Sequence, residues 1–399
     1  MTERAHRRWL WAALALALIL RVGFGLTRDG LTASSDEQEW DGAARAFLTL
    51  GVMHPDIGAY RPPLYPLMLA GIYGVTGHAP FAARMWQALL GAATCGLLYG
   101  IGRRIGGETA GVIAAGMGAV YPLFVFFSGV LMAETLLVFL TTAVLLVSLR
   151  FEATPSFGNA VTLGILSGLS VLCKPVALAW IPLLLWGWWR RSALVYRRRM
   201  ARAAAVAGAM GLTLLPWAVR NAVSSGYFVP VSSNLGMNLM IGNEPEATGV
   251  YRNEADYLGL FDRMTEPSAH PVARDRQAAR QTLRWIAGSP GRFAKLAVRK
   301  LVWLWSPLVE GESAVRNLIA FFSCGPVLAL GVWGTFRSRG CPEAWGVGSL
   351  LIALSVAHAV FFAHTRFRMP ADAALMGPAA WMLARRWRQW RGGPDCDQA

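Results

Sequence analysis

MTERAHRRWLWAALALALILRVGFG, residues 1–25, places three arginines ahead of an apolar run that no charge interrupts from Trp9 to Leu20. A secretory signal has the same order of parts, but its apolar core is shorter and ends at a small-residue cleavage site. This run is long and lacks a convincing site of that kind, which predicts an uncleaved first helix over about 9–27 with the N-terminus in the cytoplasm. Crossing about 30 Å of hydrocarbon takes roughly 17–25 apolar residues, so the stretch assigns the chain to the membrane.

The rest of the chain repeats the pattern. Hydrophobic residues make up 55% of the sequence, with 17 tryptophans, more than an ordinary soluble domain carries. Runs of spanning length fall at about 9–27, 81–102, 109–127, 129–149, 159–173, 175–189, 204–220, 315–335, 344–364 and 369–385. The expected fold is an all-α, multi-spanning membrane protein with about ten spans, in a range of about eight to twelve. The fifth and sixth runs are short and meet at Cys173-Lys174-Pro175, so a re-entrant hairpin is the alternative there.

Charge tests this topology. With spans alternating from a cytoplasmic start, the inner segments hold 18 Arg and Lys against 6 acids, and everything else holds 20 against 17. Most of the formal net charge of +15 therefore lies on the side that the positive-inside rule requires. The basic composition reports topology, and no nucleic-acid partner is expected. The five cysteines, Cys95, Cys173, Cys324, Cys341 and Cys396, are scattered without a C-x-x-C pair, and the six histidines show no metal-ligand spacing. No metal site is assigned and use of a divalent cation stays open.

Two long segments, about 28–80 and 221–314, both fall on the outer side, and the inner loops are short. This divides the chain into an N-terminal membrane module (1–220) with a catalytic first outer loop, an outer region (221–314), and C-terminal helices with a basic cytoplasmic tail (315–399). Neither outer segment carries a P-loop, a dinucleotide-binding glycine signature, a zincin helix or a nucleophile elbow. They offer carboxylates, arginines, aromatics and asparagines, the groups that recognise sugars and phosphates.

The order of DEQEWDGAARAFLTLG (36–51), RPPLYPLMLAGIYGVTG (61–77), FSGVLMAETLLVFL (127–140), LGILSGLSVLCKPVAL (163–178), PWAVRN (216–221) and HTRFRMPADAALM (364–376) resembles the polyprenyl-phosphate-sugar-dependent glycosyltransferases of the GT-C fold. The protein O-mannosyltransferase and aminoarabinose transferase relatives are most similar. The resemblance implies a helical bundle with outer loops and interfacial helices in the cytoplasmic (inner) membrane. It implies transfer of a hexosyl or pentosyl group from a polyprenyl-phosphate donor to a glycan, lipid or protein acceptor on the outer face, with inversion.

It also assigns roles. Asp36 stands where the family's proposed base stands, and Trp40 where tyrosine is commoner. A positioned carboxylate that removes the acceptor's hydroxyl proton accelerates attack on the order of 100- to 10,000-fold. Pro62 and Pro63 fix the backbone after Arg61, which limits where its guanidinium points, and the resemblance puts a basic residue there near the donor phosphate. Glu134 lies inside an apolar run, where a carboxylate costs roughly 2.5–3.5 kcal/mol unless it meets a cavity or a cation; relatives carry an acid in the corresponding position.

Lys174 and Arg220 fall at outer helix ends, where cations capture an anionic lipid phosphate or, alternatively, snorkel to the interface. Arg366 and Arg368 match a family pattern on the same face. Glu37, Trp40, Tyr60 and Asn243 are candidate substrate contacts, with a solvated helix face as the alternative for Glu37, Glu39 and Asp41. Asn221, Asn234, Asn238 and Tyr251 either bind sugar or make turns. Residues 289–306, with basic positions 292, 295, 299 and 300, read as an amphipathic helix lying in the interface. A lipid-linked substrate transporter or flippase is the alternative function, in which Glu134 and Lys174 would be coupling charges. Transporters usually show internal repeats, and none is evident here.

Overall fold

The structure, a computed structural model, describes residues 2–28, 30–31, 35–54, 57–249, 254–308 and 313–390. Tyr251 and Cys396 lie outside the described residues, as does the end of the basic tail. The first half runs α1 (Glu3–Leu26), α2 (Ser35–Thr49), α3 (Leu64–Thr76), α4 (Pro80–Val120), α5 (Pro122–Ser128), α6 (Glu134–Ala153), α7 (Phe157–Cys173) and α8 (Ile181–Arg191). The second half runs α9 (Tyr196–Ser225), α10 (Leu235–Asn243), α11 (Glu254–Met264), α12 (Pro271–Gly288), α13 (Pro290–Trp305), α14 (Ala314–Arg337), α15 (Pro342–Val360) and α16 (Met369–Trp390). Short 3-10 turns occupy Pro175–Ala179 and Thr365–Arg368.

Side-chain caps start several helices. Thr2 accepts from the Ala5 amide (3.4 Å) at α1 and Ser156 from the Asn159 amide (3.1 Å) at α7, each satisfying an amide that the first helical turn leaves unpaired. Pro80, Pro122, Pro271, Pro290 and Pro342 open other helices, where a missing N–H costs nothing. Gly226, at φ +70°, ends α9 in the left-handed conformation that glycine adopts without strain.

α4 is a hairpin. Gly106 and Gly107 leave helical geometry, Gly107 at φ +79°, and the second arm folds back along the first. A Cβ at Gly102 would lie 2.7 Å from the Ala110 carbonyl oxygen, and one at Gly111 2.8 Å from the Tyr99 ring. Eight residues of continuous helix would rise about 12 Å, so only a reversal brings these positions together. The first arm corresponds to the run expected over 81–102, and the second to the first part of the run expected over 109–127, which breaks at Tyr121 ahead of α5.

The run expected over 129–149 is corrected at its start. Residues 129–133 are not helical and α6 begins at Glu134, so this carboxylate marks the end of a helix and does not sit a turn and a half inside one. Side chains from other helices hold the break. Gln87 Nε2 donates to the Ser128 and Val130 carbonyls (3.0 and 2.9 Å), Tyr65 donates to Gln87 Oε1 (2.8 Å), and the Leu131 amide donates to Glu37 Oε1 (2.8 Å). Irregular backbone at membrane depth persists where protein groups satisfy it in this way.

Among the described residues, α1, α6, α9, α14 and α15 are long and apolar enough to cross a membrane, and the α4 hairpin with α5, bent by 53° after Val120, meets the same length and composition measure without being one straight crossing. α7 has 17 residues and α8 has 11, so length and composition do not reach the expected ten. The outward faces fit a lipid surrounding. Leu212, Leu215, Val219 and Val223 on α9 are each more than half exposed, an apolar stripe that water would not tolerate on this scale. The core lies where α4, α6, α15 and α16 meet, around Leu145, Val144, Leu375 and Met376, all fully buried.

Candidate active site

α2 sorts the acids of residues 36–41 by helical face. Residues three or four apart on a helix are neighbours, so Glu37 and Asp41 share one face and Asp36, Glu39 and Trp40 share another. Glu37 and Asp41 are fully buried. Asp41 accepts from the Tyr73 hydroxyl (2.7 Å) and meets His78 (2.9 Å) and Arg45 (3.0 Å). Trp40 packs edge-on against Tyr65, with ring centroids 5.4 Å apart, and carries the Arg61 guanidinium 5.0 Å above its ring. The half-exposed Tyr60 ring lies 5.4 Å from the same guanidinium.

On this open face six charges alternate in sign: Glu39, Arg61, Asp36, Arg366, Glu134, Lys174. Arg61 donates through Nε to Glu39 Oε2 (2.7 Å), through Nη2 to the same oxygen, and through Nη2 to Asp36 Oδ1 (3.0 Å). Arg366 Nη2 donates to Asp36 Oδ2 (2.9 Å), and its Nε lies 3.7 Å from Glu134 Oε1. Lys174 Nζ donates to that Glu134 oxygen at 2.6 Å. Asp36 therefore gives one carboxylate oxygen to each of two arginines. Burial raises its pKa, but the Arg366 and Arg61 guanidiniums outweigh burial and hold the carboxyl below its ordinary value.

The chain folds these groups together from far apart in sequence. α2 presents Asp36 and Glu39, the Tyr60-Arg61-Pro62-Pro63 turn presents Arg61, and the break before α6 presents Glu134. Lys174 follows α7, and Arg366 sits on the Thr365–Arg368 turn. Phe367 lies beneath both cations of that end, with Lys174 Nζ 5.1 Å and the Arg366 guanidinium 5.2 Å from its ring.

The other sequence candidates are placed elsewhere. Arg220 is 4% exposed; its Nε donates to the Val52 carbonyl (2.8 Å), its Nη2 to the carbonyls of His54 (3.3 Å) and Ile57, and its Nη1 to Asn221 Oδ1 (3.0 Å). It pins the loop ahead of Arg61 instead of facing the charged row. Asn221 Nδ2 donates to the Val229 carbonyl (2.9 Å), and Asn234 accepts from the Ser232 hydroxyl (3.0 Å) ahead of α10, while Asn238 lies within α10. Arg368 is buried, bonded to the Leu304 carbonyl (3.3 Å) and paired with Asp372 (3.3 Å).

Asn243 is buried too. It donates to the Leu239 and Val360 carbonyls (2.8 Å each) and accepts from Lys300 Nζ (2.9 Å). The helix expected over 289–306 is α13, but Lys300 is fully buried and donates to the Ala359 and Val360 carbonyls (3.2 Å each) at the end of α15. It does not belong to the headgroup-facing stripe expected from the sequence.

Sequence alone does not mark Glu39, Phe367 or His364 as functional. The signal for Glu39 was its i+3 spacing from Asp36. His364 Nδ1 accepts from the Arg366 amide (3.1 Å), which places the ring proton of the neutral imidazole on Nε2. Burial, with Arg366 adding to it, pushes its pKa down to about 4, so the ring stays neutral beside the charged row. Among the described residues no three His, Cys, Asp or Glu side chains gather as metal ligands. The three carboxylates of the row each meet a cation.

Residues 60–218 match the family model described as dolichyl-phosphate-mannose-protein mannosyltransferase. No curated protein matches the chain in sequence. The apo oligosaccharyltransferase of Archaeoglobus fulgidus superposes with a TM-score of 0.63 at 15% identity, over 98% of this chain and 52% of that one. The same enzyme, AglB, in complex with an inhibitory peptide and a dolichol-phosphate superposes with a TM-score of 0.57 at 15% identity, over 97% and 51%. ArnT from Cupriavidus metallidurans bound to undecaprenyl phosphate aligns at 17% identity over 94% of this chain and 78% of its own, with a TM-score of 0.47. The chain spans about half the length of the archaeal oligosaccharyltransferase. Residues 60–218 are thus similar in sequence to the mannosyltransferase family, and nearly the whole chain shares the fold of the archaeal oligosaccharyltransferase.

Proposed function

We propose that this protein transfers a sugar from a polyprenyl-phosphate donor to an acceptor hydroxyl at the outer membrane face, by single displacement with inversion. One observation carries the proposal: Asp36 is held between Arg61 and Arg366, a base set between two anion-binding forks. The match over residues 60–218 and the dolichol-phosphate bound by AglB, which shares the fold, support a lipid-phosphate donor.

The row explains how base and phosphate site work together. It pairs three acids with three bases and is formally neutral at rest. A phosphodiester donor brings one negative charge and competes with Asp36 for the two arginines, since guanidinium forks suit phosphate oxygens as well as carboxylate oxygens. As Asp36 loses these partners, its affinity for a proton rises. It then takes the acceptor's hydroxyl proton while the acceptor oxygen forms its bond to the anomeric carbon. The bond from that carbon to the phosphate oxygen breaks, and its electron pair leaves with the phosphate. Protonated Asp36 no longer holds either arginine, and both stabilise the extra charge on the departing lipid phosphate. Lys174 and Glu134 hold Arg366 and Phe367 in place. His364 supplies a neutral N–H donor near the donor's sugar.

The test is reconstituted protein incubated with radiolabelled polyprenyl-phosphate sugars and host membrane acceptors. Wild type should label an acceptor from one donor class, and Asp36→Asn should not. Equal labelling by both would remove Asp36 as the base.

A further inference from the structure

A groove of about 920 Å³ lies at the start of α1, the second arm of α4 and the end of α16. It is far from the charged row. Arg104, beside the α4 turn, donates to the Leu149 carbonyl (3.2 Å), about 22 Å of helix rise along α6 from Glu134. The volume falls within the roughly 300–1,000 Å³ of small-ligand sites.

The walls are apolar and aromatic, with Trp9, Ile113, Trp387 and Trp390 lining the groove. Trp9 and Trp390 are 59% and 79% exposed, although an indole on a water-facing surface forfeits its apolar burial. Tryptophan gathers instead at the level of lipid headgroups, where an apolar ring and a polar N–H are both satisfied. His6 is buried and bonded to Thr109 (3.2 Å), which ties α1 to the second arm of α4 at the groove.

One rim carries Arg386, which has no hydrogen-bond or ion-pair partner among the described residues. Exposed Arg4, Arg7 and Arg8 on the first turns of α1 extend the same positive field. An apolar slot at headgroup level with an uncommitted guanidinium at its mouth fits an acyl chain joined to a negatively charged headgroup.

We propose that this groove is a binding site for an anionic phospholipid, with an acyl chain between the tryptophans and the headgroup phosphate on Arg386. The site is separate from the transfer chemistry and does not depend on it.

Native mass spectrometry of the full chain in detergent, titrated with phosphatidylglycerol or phosphatidylcholine, tests the proposal. Wild type should bind one phosphatidylglycerol saturably and prefer it over phosphatidylcholine by about fivefold or more, the worth of one arginine near an anionic lipid. Arg386→Gln should abolish the preference, and Ile113→Trp, which fills the slot, should abolish binding of both lipids at unchanged thermal stability. Inorganic phosphate at equal concentration should not compete. Equal binding of the two lipids by wild type, or a preference that survives in Arg386→Gln, would overturn the proposal. So would binding that appears only after deletion of residues 391–399, because the chain's own tail would then be the occupant.

Discussion

Arginines occupy two kinds of place in this molecule. Arg61 and Arg366, with side chains 24% and 22% exposed, give their N–H groups to carboxylates. Arg21 and Arg220 are 1% and 4% exposed and give theirs mainly to backbone carbonyls, Arg21 to Ala17, Ala119 and Gly118, Arg220 to the loop from Val52 to Ile57. A carboxylate partner can be exchanged for a phosphate at little cost, one charge-assisted bond replacing another. A buried carbonyl has no other donor to turn to, and leaving it unpaired costs about 1–3 kcal/mol. Residue type alone does not separate the two kinds of arginine; their partners do.

Substitutions break or sharpen this contrast. The largest effect is expected for Arg366→Ala, which should lower transfer on the order of 100-fold, as loss of one charge-stabilising donor does, while thermal unfolding hardly moves. Arg220→Ala should do the reverse. It leaves several carbonyls and the Asn221 side chain without their donor, so we expect a loss of about 2–4 kcal/mol in unfolding experiments, with unchanged donor affinity in the protein that remains folded. If Arg220→Ala instead weakened donor binding without loss of stability, the two kinds of arginine would merge. Glu39→Gln is expected to act more mildly, tightening donor binding roughly threefold by loosening the hold on Arg61.

The smallest effect is in acid. The folded-state pKa of Asp36 is depressed below its ordinary 3.8. Its ion pairs therefore contribute stability that is fully present above that value and lost as pH falls through the depressed one. The stability difference between wild type and Asp36→Asn should hold steady from pH 7 to about 5 and shrink by about 1 kcal/mol or less below pH 3.8, the scale of partly exposed pairs. Melting curves across that range would show it.

Much of the fold was legible where local signals agree with global ones. Gly106 and Gly107 lie within the inner turn expected from charge and hydropathy, and the arms packed against each other carry the run expected over 81–102 and the first part of that expected over 109–127. The i, i+3 and i, i+4 spacing in DEQEWD already separates Asp36, Glu39 and Trp40 from Glu37 and Asp41. The break at 129–133 left no such trace. Those residues are apolar, and the groups that hold the break open, Gln87 and Glu37, come from 40 or more residues away. Arg220 and Lys300 looked like interface cations for the same reason: their carbonyl partners belong to other elements, and only the folded chain reveals them.

The most direct test is the affinity of undecaprenyl phosphate for wild type and Asp36→Asn, measured with purified protein in detergent at pH 7. If Asp36 yields its arginines to the phosphate, Asp36→Asn should bind the lipid phosphate roughly three- to tenfold more tightly than wild type and transfer no sugar. Unchanged or weaker binding by Asp36→Asn would contradict the handover of Arg61 and Arg366 from carboxylate to phosphate.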